Sequence, residues 1–166
     1  IDNSTDFDGK LRRLIQAICS VVGIPVPIED ERKFLLRKMP DNLPPHEKIT
    51  IEQAYLPVDE SGVRPRIRKR GQNGSWVCFE TRKEPTNIPG RRIEIECQIT
   101  LREYDEMMAI RDRKRRIIRK ERLCFIWRNQ YFELDCFEES LNQEPILEIE
   151  LTEDNEKVEL PDFIEV

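Results

Sequence analysis

The stretch Ile28-Glu29-Asp30-Glu31-Arg32-Lys33-Phe34-Leu35-Leu36 decides the fold, because Glu29, Glu31 and Lys33 recur at every second position. Successive side chains of a β-strand point to opposite faces, so this spacing places all three charges on one face. Such a face does not favour a hydrophobic core. We therefore expect it to meet water, a metal ion or a charged ligand. Taken alone, the triplet also fits an exposed strand of mixed charge.

The same alternation of charged and aliphatic positions returns along the chain. Glu94 and Glu96 share one face of Arg92–Ile99, and Glu148 and Glu150 share one face of Ile146–Leu151. Further segments read as strands: Ile49–Leu56, Val63–Arg70, Trp76–Glu80, Ile117–Trp127 and Tyr131–Phe137. Seven or eight short strands of this kind predict a closed antiparallel β-barrel with a hydrated, charged lumen.

Helical spacing is confined to two places. Thr100 is expected to cap a helix over residues 101–110. Near the start of the chain, Phe7, Leu11, Leu14, Ile15, Ile18 and Val22 recur at helical spacing before Gly23 and Pro25. Residues 1–25 are therefore predicted to be a helix that either packs on the following domain or ends an upstream domain. Residues 26–166 are predicted to form the main domain. The first residue, Ile1, suggests a fragment of a longer protein.

Composition limits the classes of function. The 166 residues are 37% charged, yet the formal net charge is only -5, so acidic and basic groups are segregated locally. This acidic balance argues against nucleic acid as a partner, because phosphate backbones need a broad basic surface. Five widely spaced cysteines without a Cys-x-x-Cys pair favour neither a zinc site nor a disulfide framework, and a reducing, cytoplasmic compartment fits them.

The charged faces predict a particular chemistry. Basic side chains in a lumen attract a polyanion, and guanidinium groups match the geometry of phosphate oxygens. Carboxylates repel phosphate unless a cation lies between them. Mg²⁺ or Mn²⁺ fits, since hard cations bridge carboxylates to phosphate oxygens and activate water.

These residues resemble the CYTH domain of the triphosphate tunnel metalloenzymes, which include thiamine triphosphatases, class IV adenylate cyclases and inorganic triphosphatases. The resemblance covers nearly all of Ile28–Leu151. Glu29-x-Glu31-x-Lys33 matches the defining strand of that family. The other matching segments follow in the expected order: Glu52-Gln53-Ala54-Tyr55-Leu56, Arg64-x-Arg66, Arg92-x-Glu94-x-Glu96, Lys120-x-Arg122, Glu133-x-Asp135 and Glu148-x-Glu150.

The resemblance implies an eight-stranded tunnel with flanking helices and a division of labour among its charges. It implies metal ligands at Glu29, Glu31, Glu148 and Glu150, assisted by Asp135 and Glu96. It implies phosphate contacts from Lys33, Arg64, Arg66, Lys120 and Arg122. One departure is expected, because Glu80 is predicted where many members of the family carry a lysine, with Arg82 and Lys83 following it. A carboxylate there would repel phosphate and weaken hydrolysis.

A narrower resemblance comes from the appended helix. Residues 1–25 resemble the end of a P-loop kinase-like or ATPase-like domain, an arrangement similar to the TRPL translocation defect protein family. That resemblance implies GTP and phosphoinositide binding and a role in membrane trafficking. The basic run Arg111–Arg116 agrees with it, because Arg113, Lys114, Arg115 and Arg116 could bind anionic lipid headgroups. A solvated loop is the alternative for this run.

Two functions remain open from the sequence. One is a module that binds a phosphorylated small molecule, nucleotide or phosphoinositide within a larger regulatory protein, peripheral to a membrane. The other is a metal-dependent triphosphatase. Glu80, the basic run and the apparent upstream domain favour binding, whereas the intact acidic pairs favour the enzyme.

Overall fold

A computed structural model describes residues 28–87, 91–151 and 157–166. The strands within these ranges are β1 (Ile28–Leu35), β2 (Glu47–Tyr55), β3 (Arg66–Gln72), β4 (Ser75–Pro85), β5 (Arg91–Ile99), β6 (Ile118–Trp127), β7 (Gln130–Phe137) and β8 (Ile146–Glu150). One α-helix, α1 (Leu101–Ala109), precedes β6, and a 3₁₀ turn (Glu139–Leu141) precedes β8. The predicted helix in residues 1–25 and the predicted domain boundary after residue 25 lie outside the described residues.

The eight strands close into one antiparallel barrel in the order β1-β5-β4-β3-β2-β6-β7-β8. This closed barrel with a helix beside it confirms the predicted fold class. Strand β4 differs most from the expected segment, because it runs on to Pro85 instead of ending at Glu80. Asn73 and Gly74 form the turn between β3 and β4 with φ angles of 54° and 79°, which are typical of a tight hairpin.

The apolar packing lies outside the barrel rather than inside it. On the outer side of β6, β7 and β8, the buried residues Phe125, Phe132, Leu134 and Leu147 form one cluster. Residues of the C-terminal segment pack against this cluster, namely Val158, Leu160, Phe163 and Ile164. The C-terminal segment therefore covers one side of the barrel, and the lumen is left to the charged faces of the strands.

Helix α1 covers a second side. The side chain of its N-cap residue Thr100 accepts a hydrogen bond from the Glu103 backbone N–H, and the Glu103 carboxylate accepts one from the Thr100 backbone N–H, which completes a capping box. Tyr104 is buried against the outer faces of β2, β3 and β4, together with Ala54, Ile67 and Cys78. The Tyr104 hydroxyl donates to Glu52 Oε1 at 3.1 Å, which fastens the helix to β2.

No helix among the described residues is long and apolar enough to cross a membrane. The four cysteines in these ranges, Cys78, Cys97, Cys124 and Cys136, are free thiols.

Candidate functional site

The barrel encloses a polar cavity of about 380 Å³. Seven basic side chains line it: Lys33, Arg66, Arg68, Arg70, Lys83, Lys120 and Arg122. Eight acidic side chains also line it: Glu29, Glu31, Glu94, Glu96, Glu133, Asp135, Glu148 and Glu150. Among the described residues the lining thus has a formal charge of about -1, so a triphosphate alone would meet slightly more repulsion than attraction.

Strands β1 and β8 place the first acidic group. Their register sets Glu31 opposite Glu150 and Lys33 opposite Glu148. Lys33 Nζ lies 3.0 Å from Glu31 Oε2 and also forms an ion pair with Glu148. The defining strand of the sequence analysis therefore does face the lumen, with its lysine held between two carboxylates.

Arg122 on β6 is the centre of a buried ion network. Its Nε and Nη2 donate to the two oxygens of Asp135 at 2.7 and 2.8 Å, and Nη2 also donates to Glu148 at 2.7 Å. Glu133 is a further partner of Arg122, and Lys120 forms an ion pair with Asp135. Asp135 is only 1% exposed, so its charge depends on these two cations.

The network sets the protonation of its members. Burial opposes the charge of Asp135, yet Arg122 and Lys120 hold the pKa of its carboxyl below the ordinary value. Burial lowers the pKa of Lys120. The positive charge of Arg122 beside it also lowers this pKa, whereas the carboxylate of Asp135 raises it. Lys120 and Arg122, which were predicted to contact phosphate, are therefore already paired with carboxylates.

Strand β5 faces the arginines of β3. Glu94 accepts from Arg66 at 3.0 Å and lies 3.4 Å from the Lys83 ammonium. Glu96 pairs with both Arg68 and Arg70, the latter at 3.2 Å. Glu96, a predicted metal ligand, thus lies among arginines rather than beside the acidic pair of β1 and β8.

The register of β4 corrects the expectation for Glu80. Arg66 and Arg68 lie opposite Thr81 and Phe79, so odd-numbered residues of β4 share the lumen face with the arginines. Lys83 accordingly lines the cavity and pairs with Glu29. Glu80 lies on the other face and accepts from Arg82, 3.2 Å away. The expected repulsion by Glu80 is therefore wrong, because a lysine occupies the lumen from this strand.

A second cavity of about 400 Å³ lies at one end of the barrel and is called the mouth below. It shares Glu31, Lys33, Arg66 and Lys83 with the lumen. Its charged lining residues are Lys33, Arg64, Arg66, Lys83 and Arg92, with the single carboxylate of Glu31. The mouth is therefore strongly cationic, in contrast to the balanced lumen.

Arg64 belongs to the mouth and not to the lumen. It precedes the first residue of β3 and forms an ion pair with Asp112, in the loop after α1. The Asp112 backbone N–H donates to Tyr55 O at 2.8 Å, so the loop is anchored at the end of β2. This anchoring brings the basic run Arg111–Arg116 beside the mouth.

The predicted lipid patch, Arg113, Lys114, Arg115 and Arg116, is exposed in the structure. Two of its side chains have contacts with other described residues: the Arg115 guanidinium lies 5.2 Å from the centre of the Tyr55 ring, and Arg116 donates to Ser140 O at 3.2 Å. The structure thus places this patch on the surface beside the mouth, and lipid binding stays a prediction.

The six predicted metal ligands are not gathered into one cluster. Among the described residues, no group of three acidic, histidine or cysteine side chains is arranged to hold a metal ion. Glu29, Glu31, Glu148 and Glu150 come from the adjacent strands β1 and β8, and Glu31 lies directly opposite Glu150. Glu29, Glu31 and Glu148 have cationic partners, as Asp135 and Glu96 do, whereas Glu150 has no ion pair with a described residue. The opposed pair of Glu31 and Glu150 is therefore the best-placed position for a cation.

Three polar atoms in the lumen are buried without a hydrogen-bond partner in the described structure: Glu29 Oε2, Arg66 Nε and Arg68 Nε. Burial raises the pKa of Glu29. Lys83 lowers this pKa, whereas the nearby carboxylates of Glu94 and Glu31 raise it further. Burial likewise raises the pKa of Glu150, with Glu94 and Glu133 adding to it. Unpaired buried groups are costly, so this acceptor and these two donors are expected to be satisfied by water or by a bound ligand.

The sequence interpretation gave no metal or phosphate role to five residues that line the lumen, although two of them, Glu94 and Glu133, lie in the matched motifs. The five residues are Arg68, Arg70, Lys83, Glu94 and Glu133. A signal for Lys83 was present, because the two-residue turn Asn73-Gly74 fixes which face of β4 continues the arginine face of β3. Counting from that turn assigns Lys83 to the lumen and Glu80 to the outside.

Comparison with known proteins gives structural relatives only. No protein-family model matches the sequence, and no curated protein matches it. The solved structure of NE1496, described as an inorganic triphosphatase, superposes with a TM-score of 0.55 at 23% identity, over 83% of this chain and 84% of that one.

Two further structures are similar. PH1819 from Pyrococcus horikoshii OT3 has a TM-score of 0.53 at 20% identity, over 76% of this chain and 80% of its own. HpAC1 from Hippeastrum, named as an adenylyl cyclase and described with a dominant triphosphatase activity, has a TM-score of 0.50 at 19% identity, over 75% and 80% of the two chains.

Together with the closed barrel and its charged lumen, these likenesses show that the chain has the triphosphate tunnel fold. The narrower resemblance to the TRPL translocation defect family stays a prediction.

Proposed function

We propose that the lumen binds the phosphate chain of a triphosphate together with a divalent metal ion and hydrolyses it. The three unpaired lumen atoms carry this proposal. Glu29 Oε2 is an acceptor that a cation would satisfy, while Arg66 Nε and Arg68 Nε are donors that phosphate oxygens would satisfy. A ligand that brings both a cation and phosphate oxygens satisfies all three atoms at once.

The acidic residues of β1 and β8 fit Mg²⁺ or Mn²⁺. Glu31 lies opposite Glu150, which has no ion-pair partner among the described residues, and Glu29 keeps one oxygen unpaired. Oxygen-rich, anionic sites of this kind suit hard divalent cations. Glu29, Glu31, Glu148 and Glu150 would hold the ion. The ion would supply charge neutralisation between carboxylate and phosphate and would activate water for attack.

The residues of the chain would orient the phosphate and stabilise its charge. Arg66, Arg68 and Lys83 lie on the neighbouring strands β3 and β4, and Lys33 lies at the shared edge of lumen and mouth. Their fixed positive charges would stabilise the charge that develops on the phosphoryl oxygens during transfer. The oxygen of water bonds to the terminal phosphorus and its proton passes to solvent, while the bridging P–O bond breaks and the shortened chain leaves with the electron pair of that bond.

The structural relatives support hydrolysis over binding alone. NE1496 and HpAC1 are both described with triphosphatase activity, and both share this fold. The position of Lys83 in the lumen also removes the main argument against turnover, which rested on Glu80.

Phosphate release tests the proposal. Tripolyphosphate, thiamine triphosphate and GTP are incubated with Mg²⁺ or Mn²⁺, and wild type is compared with Glu29→Gln and Lys33→Ala. We expect metal-dependent release from at least one of these compounds and a loss of release in both variants. Binding of the compounds without release from any of them would contradict hydrolysis and favour a ligand-binding module.

A second candidate is phosphoinositide binding at the mouth. The exposed basic residues Arg113 and Lys114 and the cationic mouth lie on the same side of the barrel, because Asp112 joins the loop to Arg64. Sedimentation with phosphoinositide vesicles should weaken when Arg113, Lys114, Arg115 and Arg116 are changed to Gln. Unchanged sedimentation would remove this candidate.

The cellular setting follows as a proposal from the same features. We propose a cytoplasmic protein that associates peripherally with membranes and is joined to an upstream domain. The free thiols fit a cytoplasmic setting, and the basic surface loop fits association with a membrane. Cell fractionation of the full-length protein tests this setting, and recovery only from an oxidising compartment would contradict it.

A further inference from the structure

Two sides of the outer wall of the barrel are covered by described residues. Helix α1 packs against β2, β3 and β4, and the C-terminal segment packs against β6, β7 and β8. The outer face of β5 and the start of β1 form the remaining side. Glu94 and Glu96 line the lumen, so the alternate residues Ile93, Ile95 and Cys97 point outward. Among the described residues, Ile93 and Ile95 belong to neither apolar cluster.

These outward residues form an apolar surface with a charged border. Together with Ile28 they are called the β5 stripe below, which consists of Ile28, Ile93, Ile95 and Cys97. Ile28 lies directly opposite Ile93 and is 50% exposed, Cys97 is exposed, and Ile93 and Ile95 are half-buried. The residues opposite the stripe on β4 are all charged: Glu80, Arg82 and Glu84. An apolar surface with a polar rim is typical of a place where another segment or chain packs.

The pairing of β5 with β1 is short at the same place. It joins Ile28–Asp30 to Arg91–Ile93, whereas β5 continues to Ile99. Beyond Ile93, no strand of the described residues pairs with β5 on the β1 side. Proteins usually cover an open strand edge with a helix or a loop, because its unpaired backbone groups attract other chains. We therefore expect one segment to cover both this edge and the β5 stripe.

The N-terminal part of the chain joins the barrel at this position. Residues 1–27 lead directly into Ile28, which belongs to the β5 stripe. The five residues before it, Gly-Ile-Pro-Val-Pro at positions 23–27, can span up to about 17 Å when extended. Proline within a sheet is restricted to edge positions, and two prolines occur in this linker. The linker therefore suits the open edge of β5 and is long enough to bring the preceding residues over the outer face.

The sequence before the linker matches the β5 stripe in character and in length. Its apolar residues recur at three- and four-residue spacing and so share one face of a helix: Phe7, Leu11, Leu14, Ile15, Ile18 and Val22. A helix over residues 7–22 would be about 24 Å long. The length of β5 from Ile93 to Ile99 is about 20 Å. One apolar helix face thus corresponds to one uncovered apolar side of the barrel, as in folds that pack helices on a sheet.

We propose that residues 7–22 pack as a helix on the β5 stripe, while residues 23–27 cover the open edge of β5. This assigns the helix to the barrel domain, and an upstream domain would then end before it. The inference does not depend on the proposed hydrolysis. Because β1 carries Glu29, Glu31 and Lys33 on its opposite face, the packed helix would support the strand that supplies part of the candidate site. A second copy of the chain is the competing occupant of the stripe.

The first test changes the helix and uses the native thiol of Cys97 as the probe. Leu14→Asp in the full chain places a charge on the apolar face, whereas Gln16→Asp, the matched control, places the same charge on the opposite face. The labelling rate of Cys97, followed by mass spectrometry, should rise at least about tenfold in Leu14→Asp, because opening of the helix no longer limits access. The rate in Gln16→Asp should equal that of wild type. Cys78 is only 3% exposed and should stay unlabelled in both variants, which shows that the barrel is intact.

The second test changes the barrel and follows the helix. Ile95→Asp places a charge in the β5 stripe, and limited trypsin digestion reports cleavage after Lys10, Arg12 and Arg13. Cleavage there should become at least about tenfold faster, since proteolysis needs local opening of a packed segment. Arg82→Gln, directly opposite Ile95 in the charged border, is the control and should match wild type.

An unchanged result for Leu14→Asp or for Ile95→Asp would overturn the inference. Both proteins are also measured over a dilution series, with the molecular mass determined by light scattering. Protection of Cys97 that persists in the monomer supports packing of the chain's own helix. Protection that is lost as a dimer dissociates would assign the β5 stripe to a second copy and would likewise overturn the inference.

Discussion

Glu31 on β1 and Glu150 on β8 lie directly opposite each other at the lumen. Like charges in this position destabilise a sheet. Lys33 compensates Glu31, its partner at 3.0 Å, whereas Glu150 has no ion pair with another described residue. The fold should therefore be less stable without a cation bound at this pair than with one.

Glu150→Gln should stabilise the metal-free protein and weaken its response to metal. The expected gain is about 0.5 kcal/mol in the free energy of unfolding in EDTA, since one of two opposed charges is removed. Addition of Mn²⁺ should raise the melting temperature of wild type more than that of the variant, because a bound ligand stabilises only the state that binds it. Glu144→Gln, on an exposed loop, is the control; equal Mn²⁺ shifts in all three proteins would contradict a metal site here.

Asp135→Asn should strongly destabilise the fold. The change leaves Arg122 and Lys120 buried without their shared carboxylate, and removing one partner of a buried ion pair costs about 3 kcal/mol. For a domain of this size that corresponds to a fall of about 9 °C in melting temperature. Thermal unfolding measures it, with Asp105→Asn on the exposed face of α1 as the control. A fall of less than about 3 °C, which corresponds to about 1 kcal/mol, would show that the network is not needed for stability.

The stability of the fold should depend on pH through Glu52, which does not line the lumen. Burial opposes its ionisation, yet the hydrogen bond from Arg119 and the charge of Lys69 hold the pKa of Glu52 below the ordinary value of 4.5. A lowered pKa in the folded state stabilises the fold above pH 4.5, and this contribution is lost as the pH falls through the folded pKa.

Glu52→Gln should therefore be less stable than wild type by about 1 kcal/mol at pH 7, and the difference should shrink as the pH falls below 4.5. Urea unfolding at a series of pH values measures this difference. A deficit that is constant over the whole range would assign it to the altered hydrogen bond from the Tyr104 hydroxyl rather than to charge.

The charge pattern of the strands was enough to predict the barrel. Glu29, Glu31 and Lys33 share a strand face that cannot join a hydrophobic core. The later strands show the same alternation of charged and aliphatic positions, so closure around a charged lumen follows from local periodicity. Which side of the barrel Phe163 and its neighbours cover did not follow, because no short-range pattern shows where a C-terminal segment packs.

The site was predictable in its residue types but less so in its partners. The two-residue turn at Asn73-Gly74 fixes the face of Lys83, and a count from that turn would have found it. The ion pairs of Asp135 with Lys120 and Arg122 depend instead on how β6, β7 and β8 pair with one another. The register across these three strands sets that pairing. The resemblance implied phosphate contacts for Lys120 and Arg122, but it did not show that both side chains also pair with a carboxylate.

The most direct test of the account is phosphate release from tripolyphosphate, with Mg²⁺ or Mn²⁺, in wild type, Lys83→Gln and Arg82→Gln. These two substitutions remove neighbouring charges on opposite faces of β4, one in the lumen and one outside. We predict turnover in wild type, nearly unchanged turnover in Arg82→Gln, and a loss of about 100-fold in Lys83→Gln, the usual effect of removing one group that stabilises a transition state. No release from wild type with either metal, or equal rates in the two variants, would contradict hydrolysis in this tunnel.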